Sequence, residues 1–528
     1  MRQAIGRLVA AAFAVALLAA CNGDQKSAAP PASGPPEGAR TIMEKPAYAT
    51  ARWLYYVADR DTGEVLTSQR PDEIVLTGST AKLFTIGTLY DAIGPDTRLT
   101  TPVYATAPTV DGVVRGDVIL VASGDITLGG RGAMQGRVDQ AFDASGVDHV
   151  YGDMGIEAHK VTDDPLAGLD DLARQIAAKG VKTIDGDVII DTRIWRTDKG
   201  GEGPVPPIFV NDNILDIDIA PGAVGQPAKL QMTPSTTAFT VQSKVSTVES
   251  SKPASIDVDV DPANTRNIIV SGTIAEGKPQ LTIYRVPNAE TWTRTLFVEA
   301  LNRAGITVSA PTLGPNNTAR LPATETYSAD RELASLQSPP LNAFGSMILT
   351  TSYNTGANAM LCLLASKSGS KDCTDGLKTI HATIDKAGLD SNAVVLANGE
   401  GAYPTSTTPK QITGWVKWAA AQPWGQAFID GLPVLGETGT LSGAGVNSPA
   451  KGKIRAKGGT DAGGDEATGR ALFNVQSLAG YMTTDSGRNL VFALSMSGAT
   501  YPDLPTGVRQ SNDDVGMVAG EFQQALSK

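Results

Sequence analysis

Histidine and cysteine are both scarce in this chain, with three of each among 528 residues. His149, His159 and His381 sit in no metal-ligand spacing, and none lies near a Gly-x-Ser-x-Gly elbow. Neither a histidine-built metal centre nor a Ser-His-Asp hydrolase is therefore supported. Past Cys21 only Cys362 and Cys373 remain, and two cysteines without a histidine in ligand spacing do not make a zinc site. An exported compartment permits a disulfide between them, with two free buried thiols as the alternative. A basic stripe is missing too. The formal net charge is -11, which excludes a nucleic-acid partner that must be held by its phosphates. No fixed-period repeat is present, so solenoids and propellers are set aside. No metal or cofactor is implied by any of these residues.

The N-terminus carries more information. Arg2 and Arg7 precede an apolar run from Leu8 to Leu18, which leads into Ala19-Ala20-Cys21. A basic start, a short apolar stretch and small residues before a cleavage point make a secretory signal, too short to span a bilayer as a mature helix. Its ending resembles a bacterial lipobox, whose cysteine becomes the lipidated first residue after cleavage. The plainer alternative is a signal peptide that happens to end in Cys. Residues 22–48 then read as a flexible linker, rich in Pro, Ala, Ser and Gly up to residue 40, that cannot build a core. The expectation is an exported periplasmic or cell-envelope lipoprotein, with Cys21 holding it to a membrane.

With 528 residues, two or more domains are expected. Trp53–Ala58 and Glu64–Leu66 flank a turn and read as a hairpin, and residues 79–92 follow in helical rhythm. From about Asp96 to Glu325 the texture changes to short strands, Gly/Asp turns and an amphipathic helix at Ala167–Ala178. Helices return after Ser338-Pro339-Pro340-Leu341. A second hairpin, Ser477–Met482 with Leu490–Met496, and a helix over Gly516–Leu526 close the chain. Strands at both ends with helices between them predict an α+β fold, an antiparallel sheet covered by helices. Residues 49–95 and 326–528 would form it, and 96–325 would be an inserted region of α/β and β subdomains.

A serine enzyme without a nearby histidine needs another base, and a lysine of depressed pKa can serve. Thr77-Gly78-Ser79-Thr80-Ala81-Lys82 offers the pair, because a three-residue spacing on a helix puts Lys82 within reach of the Ser79 hydroxyl. The helix N-terminus also favours negative charge and leaves backbone N–H groups free to donate. Taken alone, Ser-x-x-Lys is more often an N-cap followed by a surface lysine.

The surroundings of the pair are what distinguish it. Leu76–Thr85, then Gly116-Asp117, Gly124–Leu128, Asp185-Gly186-Asp187 and Pro221-Gly222-Ala223, then Ser352-Tyr353-Asn354, Gly439-Thr440-Leu441 and finally Lys457-Gly458-Gly459-Thr460 occur in one order. This order resembles the class C penicillin-binding proteins, the D-alanyl-D-alanine carboxypeptidase/endopeptidase family, from about Trp53 to the C-terminus. The resemblance implies a penicillin-binding/serine β-lactamase-like transpeptidase fold. It also implies peptidoglycan peptides as substrates and acylation by β-lactams. Ser79 would be the nucleophile and Lys82 its base, Ser352 would relay a proton, and Asn354 and Lys457 would bind substrate. Backbone N–H groups of Ser79 and Thr460 would form the oxyanion hole beside Gly459.

Three departures accompany the resemblance. Gly458 stands where the third motif, Lys-Thr-Gly, has Thr, so a hydroxyl for the substrate carboxylate is missing, and Thr460 is the candidate to supply one. Asp461–Arg470 adds a polar stretch that reads as a lid or as a plain surface loop. Asn398-Gly399-Glu400-Gly401 replaces the family's Asp-Gly-Ser-Gly. Glu437-Thr438-Gly439 is a decoy for the third motif with the lysine lost, and it sits one segment too early. The missing hydroxyl and the extra stretch keep open a non-catalytic cell-wall binding or scaffold protein on the same fold. A β-lactamase is the third reading.

Overall fold

The computed structural model describes residues 34–142, 146–200 and 203–527. The signal segment, Cys21 and the start of the linker lie outside the described residues. A six-stranded antiparallel sheet forms the centre of the molecule, ordered Val65–Gln69, Arg52–Asp59, Asn489–Ser497, Ala471–Thr483 and Ile454–Gly464, with Ala499–Tyr501 also paired to Ala471–Thr483. The strands Arg52–Asp59 and Asn489–Ser497 in its middle are largely apolar because both faces are covered. In Leu490–Leu494, Leu490, Phe492 and Leu494 point into one core and Val491 and Ala493 into the other, the two-residue period of a strand. On the first side the C-terminal helix Leu504–Ala525 brings Val515 and Phe522. On the second, the helix Pro409–Ala420, started by Pro409 and capped by the Thr408 side chain, lays Trp415 against Phe84 of the helix Lys82–Ala92. The Trp415 indole N–H donates to the Leu83 carbonyl at 2.9 Å. That bond fixes the Lys82 helix over the sheet.

The described structure differs from three expectations. The stretch read as linker up to residue 48 is folded from Glu37. A short helix, Glu37–Met43, and the turn Pro46–Tyr48 bury Ala39, Met43 and Tyr48 against the C-terminal helix. Tyr48 donates to Asp514 at 2.6 Å. The Pro-rich composition stops just before this apolar spacing begins, so the folded region starts ahead of residue 48. The last helix starts at Leu504, not Gly516. Gly507 and Gly516 weaken the helical pattern, but a methyl group at Gly507 would come within 2.3 Å of the Phe473 ring, so packing demands glycine there. The insertion also ends later than residue 325. Strand Glu332–Pro340 pairs with Arg98–Ala105 in the insertion's own sheet, beside Val118–Val121 and Val188–Asp191. Leu341 N then bonds Thr97 O at 2.9 Å, so the chain leaves the insertion next to where it entered. Helices Ala167–Ala178 and Ala289–Arg303 cover that sheet, and two three-stranded sheets lie beyond it. Cys362 and Cys373 are joined, tying the helix Asn354–Lys367 to the segment before Asp375–Lys386.

The insertion also holds a buried charge cluster facing the catalytic half. Arg131 donates to Asp148 and Asp212, both at 2.8 Å from the nearest guanidinium nitrogen. His149 lies between Asp212 (2.9 Å) and Asp216 (2.8 Å). Burial alone would push the imidazole toward neutrality, but the two carboxylates outweigh it and raise the His149 pKa to about 10. A raised folded-state pKa means this ion contributes its full stability below the ordinary value of 6.5 and loses it as pH climbs through about 10. Thermal unfolding temperature should therefore fall between those limits, and His149→Gln should flatten that part of the profile. An unchanged slope in the variant would count against the cluster as its source.

Candidate active site

Ser79 sits in a tight turn, Gly78–Ala81, that runs directly into the helix beginning at Lys82. The turn makes Lys82 the next residue along the same face. Its side-chain nitrogen, fully buried, is 2.7 Å from Ser79 Oγ, 2.5 Å from Asn354 Oδ1 and 3.1 Å from the Glu400 carbonyl oxygen. Ser352 and Asn354 flank the joint between the helices Leu341–Thr351 and Asn354–Lys367. Ser352 takes a left-handed backbone (φ 63°) that ends the first helix and turns its hydroxyl toward the central sheet. There Lys457 Nζ meets Ser352 Oγ at 2.9 Å and the Gly458 carbonyl at 2.6 Å. Five of the residues singled out in the sequence thus converge from a turn, a helix joint and an edge strand.

The remaining two, Gly459 and Thr460, form the wall opposite Ser79. The Ser79 turn is pressed against the strand so closely that no side chain fits between them. A β-carbon on Gly78 (φ 51°) would lie 2.7 Å from Thr460 N, and one on Gly459 would lie 2.4 Å from Thr77 O. Ser477 on the neighbouring strand closes the seam, donating to Thr77 O at 2.7 Å. Ser477 carries no sign of this task in the sequence, being one of several polar residues on the strand Ala471–Thr483. The decoy falls away on geometry: Glu437 is exposed, and Lys457 is the residue that reaches Ser352.

The two lysines define the electrostatics. Burial, with the charge of Lys82 as a second cause, pushes Lys457 well below the ordinary lysine range. The Thr460 hydroxyl donates to Gln476 Oε1 at 2.8 Å, so its proton is engaged on the sheet and not held ready for a substrate carboxylate. Gly458 has space beside it: a β-carbon there would find its nearest neighbours, Leu441 and Ser477, at 3.9 Å. Asp461–Arg470 is no detached lid. Ile454–Gly464 and Ala471–Thr483 continue as paired strands around a turn at residues 465–470. Tyr151 of the insertion donates to the Ser352 carbonyl at 2.7 Å, across a separation of 201 residues that no local spacing reveals.

An antiparallel sheet covered by helices, with Ser-x-x-Lys opening the first buried helix, is the penicillin-binding and serine β-lactamase-like fold. The match to the crystal structure of penicillin binding protein 4 from Haemophilus influenzae has a TM-score of 0.67 at 18% identity, covering 92% of this chain and 99% of that one. Residues 39–514 match the model of the D-Ala-D-Ala carboxypeptidase 3 (S13) family, and the chain belongs to that family. Relatives include a D-alanyl-D-alanine carboxypeptidase of Actinomadura sp. (strain R39), 26% identical over 87% of this chain and 80% of that protein. Another is the D-alanyl-D-alanine carboxypeptidase DacB of Haemophilus influenzae, 22% identical over 64% of this chain and 71% of that protein.

The seam makes a sharp prediction. Gly459→Ala puts a methyl group against backbone atoms of Thr77 and Thr80, which cannot step aside, and drives the strand away from Ser79. Acylation should slow by roughly a hundredfold or more, the usual consequence of misplacing reacting groups by about 1 Å, while circular dichroism stays native. An alanine variant that acylates at the normal rate would show that the close approach is not required.

Proposed function

We propose that this protein is a serine D-Ala-D-Ala carboxypeptidase/endopeptidase that trims peptidoglycan peptides through an acyl-enzyme on Ser79. The observation that carries the reading is Lys82 Nζ at 2.7 Å from Ser79 Oγ, with Ser352 and Lys457 facing the same cleft. In this reaction Ser79 Oγ attacks the carbonyl of the penultimate D-Ala while a neutral Lys82 takes its proton. The N–H groups of Ser79 and Thr460 receive the developing oxyanion, a contribution of roughly 3 kcal/mol per donor in acyl transfer. Ser352 passes a proton to the departing D-Ala amine, and water later releases the acyl group. The substrate's terminal carboxylate favours the charged form of Lys457, and by mutual repulsion that leaves Lys82 as the neutral partner. A β-lactam ring opened by the same attack stays on Ser79 as a stable ester. Family membership and the relatives' carboxypeptidase activity favour this over a scaffold protein or a β-lactamase. The protein works in the exported cell-wall space, and lipid on Cys21 would hold it to a membrane.

A fluorescent penicillin should label the wild-type protein and leave Ser79→Ala unlabelled, and equal labelling of the two would remove the mechanism. Gly458→Thr tests carboxylate binding separately. The added hydroxyl should raise kcat/KM on a peptide ending in a free D-Ala carboxylate by roughly tenfold, the effect of one hydrogen bond to a charged group. The amidated peptide should gain nothing. Equal gains on both peptides would point to a general repacking of the strand.

A further inference from the structure

Glu400 is an acidic residue whose main chain reaches one of the two buried lysines of the site. It is 5% exposed. Its main-chain carbonyl accepts from Lys82 Nζ at 3.1 Å, which places the residue in direct contact with the base. Its carboxylate oxygens accept from Asn358 Nδ2 at 2.7 Å and from Asn398 Nδ2 at 3.2 Å. Asn358 lies one helical turn beyond Asn354, the residue whose amide oxygen holds Lys82, and its own amide oxygen accepts from Gly399 N at 3.0 Å. One helix face therefore anchors the lysine and the glutamate together. The loop cannot swing away, because Gly401 (φ 98°) packs so tightly that a β-carbon there would lie 2.0 Å from the Gly78 carbonyl.

A water-poor pocket resists net charge, so the sum over its groups matters as much as any pair. With Glu400 ionised, one lysine as ammonium and the other as neutral amine make the centre neutral overall. Without that carboxylate, the same single proton leaves the centre positive. We infer that Glu400 is the counter-charge of the two-lysine centre, a positioning residue that sets the pH at which Lys82 becomes free to take the Ser79 proton. The inference rests on the acylation reading above. The groups that bear on Lys82 include Ser79 from its own turn, Asn354 from the helix joint and the Glu400 carbonyl from the loop, with Lys457 opposing its charge from the edge strand. Tyr353 at the joint lies toward Asp212 and Arg131 of the insertion. Glu400 acts through Lys82 and takes no part in bond making.

The sign follows from the charges. An anion near an ammonium favours its charged form, so removing the anion lets Lys82 lose its proton at lower pH. The test is the acylation rate with a fluorescent penicillin, followed from mildly acidic to alkaline pH in the wild type, Glu400→Gln and Glu400→Asp. The acidic limb should move about one pH unit or more toward acid in Glu400→Gln and stay near its wild-type position in Glu400→Asp, which keeps the charge. An unmoved limb in Glu400→Gln, or a shift toward alkali, overturns the inference. Should Glu400→Gln not fold, Glu400→Ser removes the charge with a smaller side chain and carries the same expectation. Wild-type protein that is never labelled would remove the acylation reading and this inference together. Normal labelling with an unmoved limb would remove only the inference.

Discussion

The backbone of the Gly78–Ala81 turn lies against the strand at Gly459–Thr460 with no side chain between them, and the chemistry of the cleft depends on that contact. Two glycines permit the approach and Ser477 clamps it with a hydroxyl shared between Thr77 O and Gly459 O. The contact brings the Ser79 turn up against the main chain of Gly459 and Thr460. It also sets the distance between the helix carrying Lys82 and the strand carrying Lys457. Both lysines are buried to within 1% of complete, so small changes in that spacing alter how strongly their charges oppose each other.

The second constraint comes from outside the catalytic half. Ser352 has a left-handed backbone that a serine does not adopt without support. Its carbonyl is held by Tyr151, and the buried aromatic next to it, Tyr353, lies toward the ionic cluster around Arg131 and His149. The insertion thus contributes rigidity to a residue of the site as well as surface around it. A charge cluster of this kind is expensive to bury. Its members are nonetheless paired: Arg131 reaches two carboxylates and His149 two.

Much of this was legible in the sequence because it is written locally. Ser79 and Lys82 share one helical turn, Ser352 and Asn354 flank one joint, and the two hairpins show their strand patterning directly. What escaped was long-range or set by packing. Glu400 and Asn358 meet across a loop, Tyr151 reaches Ser352 from another part of the molecule, and no spacing rule pairs them. The last helix reads short in the sequence because glycines that admit Phe473 and Leu435 look like breaks when their neighbours are unseen. The strand Glu332–Pro340 reads with the helices that follow it in the chain, whereas its pairing partner lies near residue 100.

The insertion leaves through strand Glu332–Pro340 beside the strand by which it enters, and this bears on how the chain acquires its shape. The central sheet must join segments far apart in sequence: Asp59 and Arg488, 429 positions apart, meet in one ion pair. Pairing ends so distant carries a large loop-closure cost and slows folding. Once the insertion's own sheet forms, Thr97 and Leu341 are already neighbours, and the intervening residues no longer count as open loop. The order of events then favours the insertion first and the catalytic sheet second, so a region that carries none of the proposed reacting groups would govern how quickly the catalytic half is assembled.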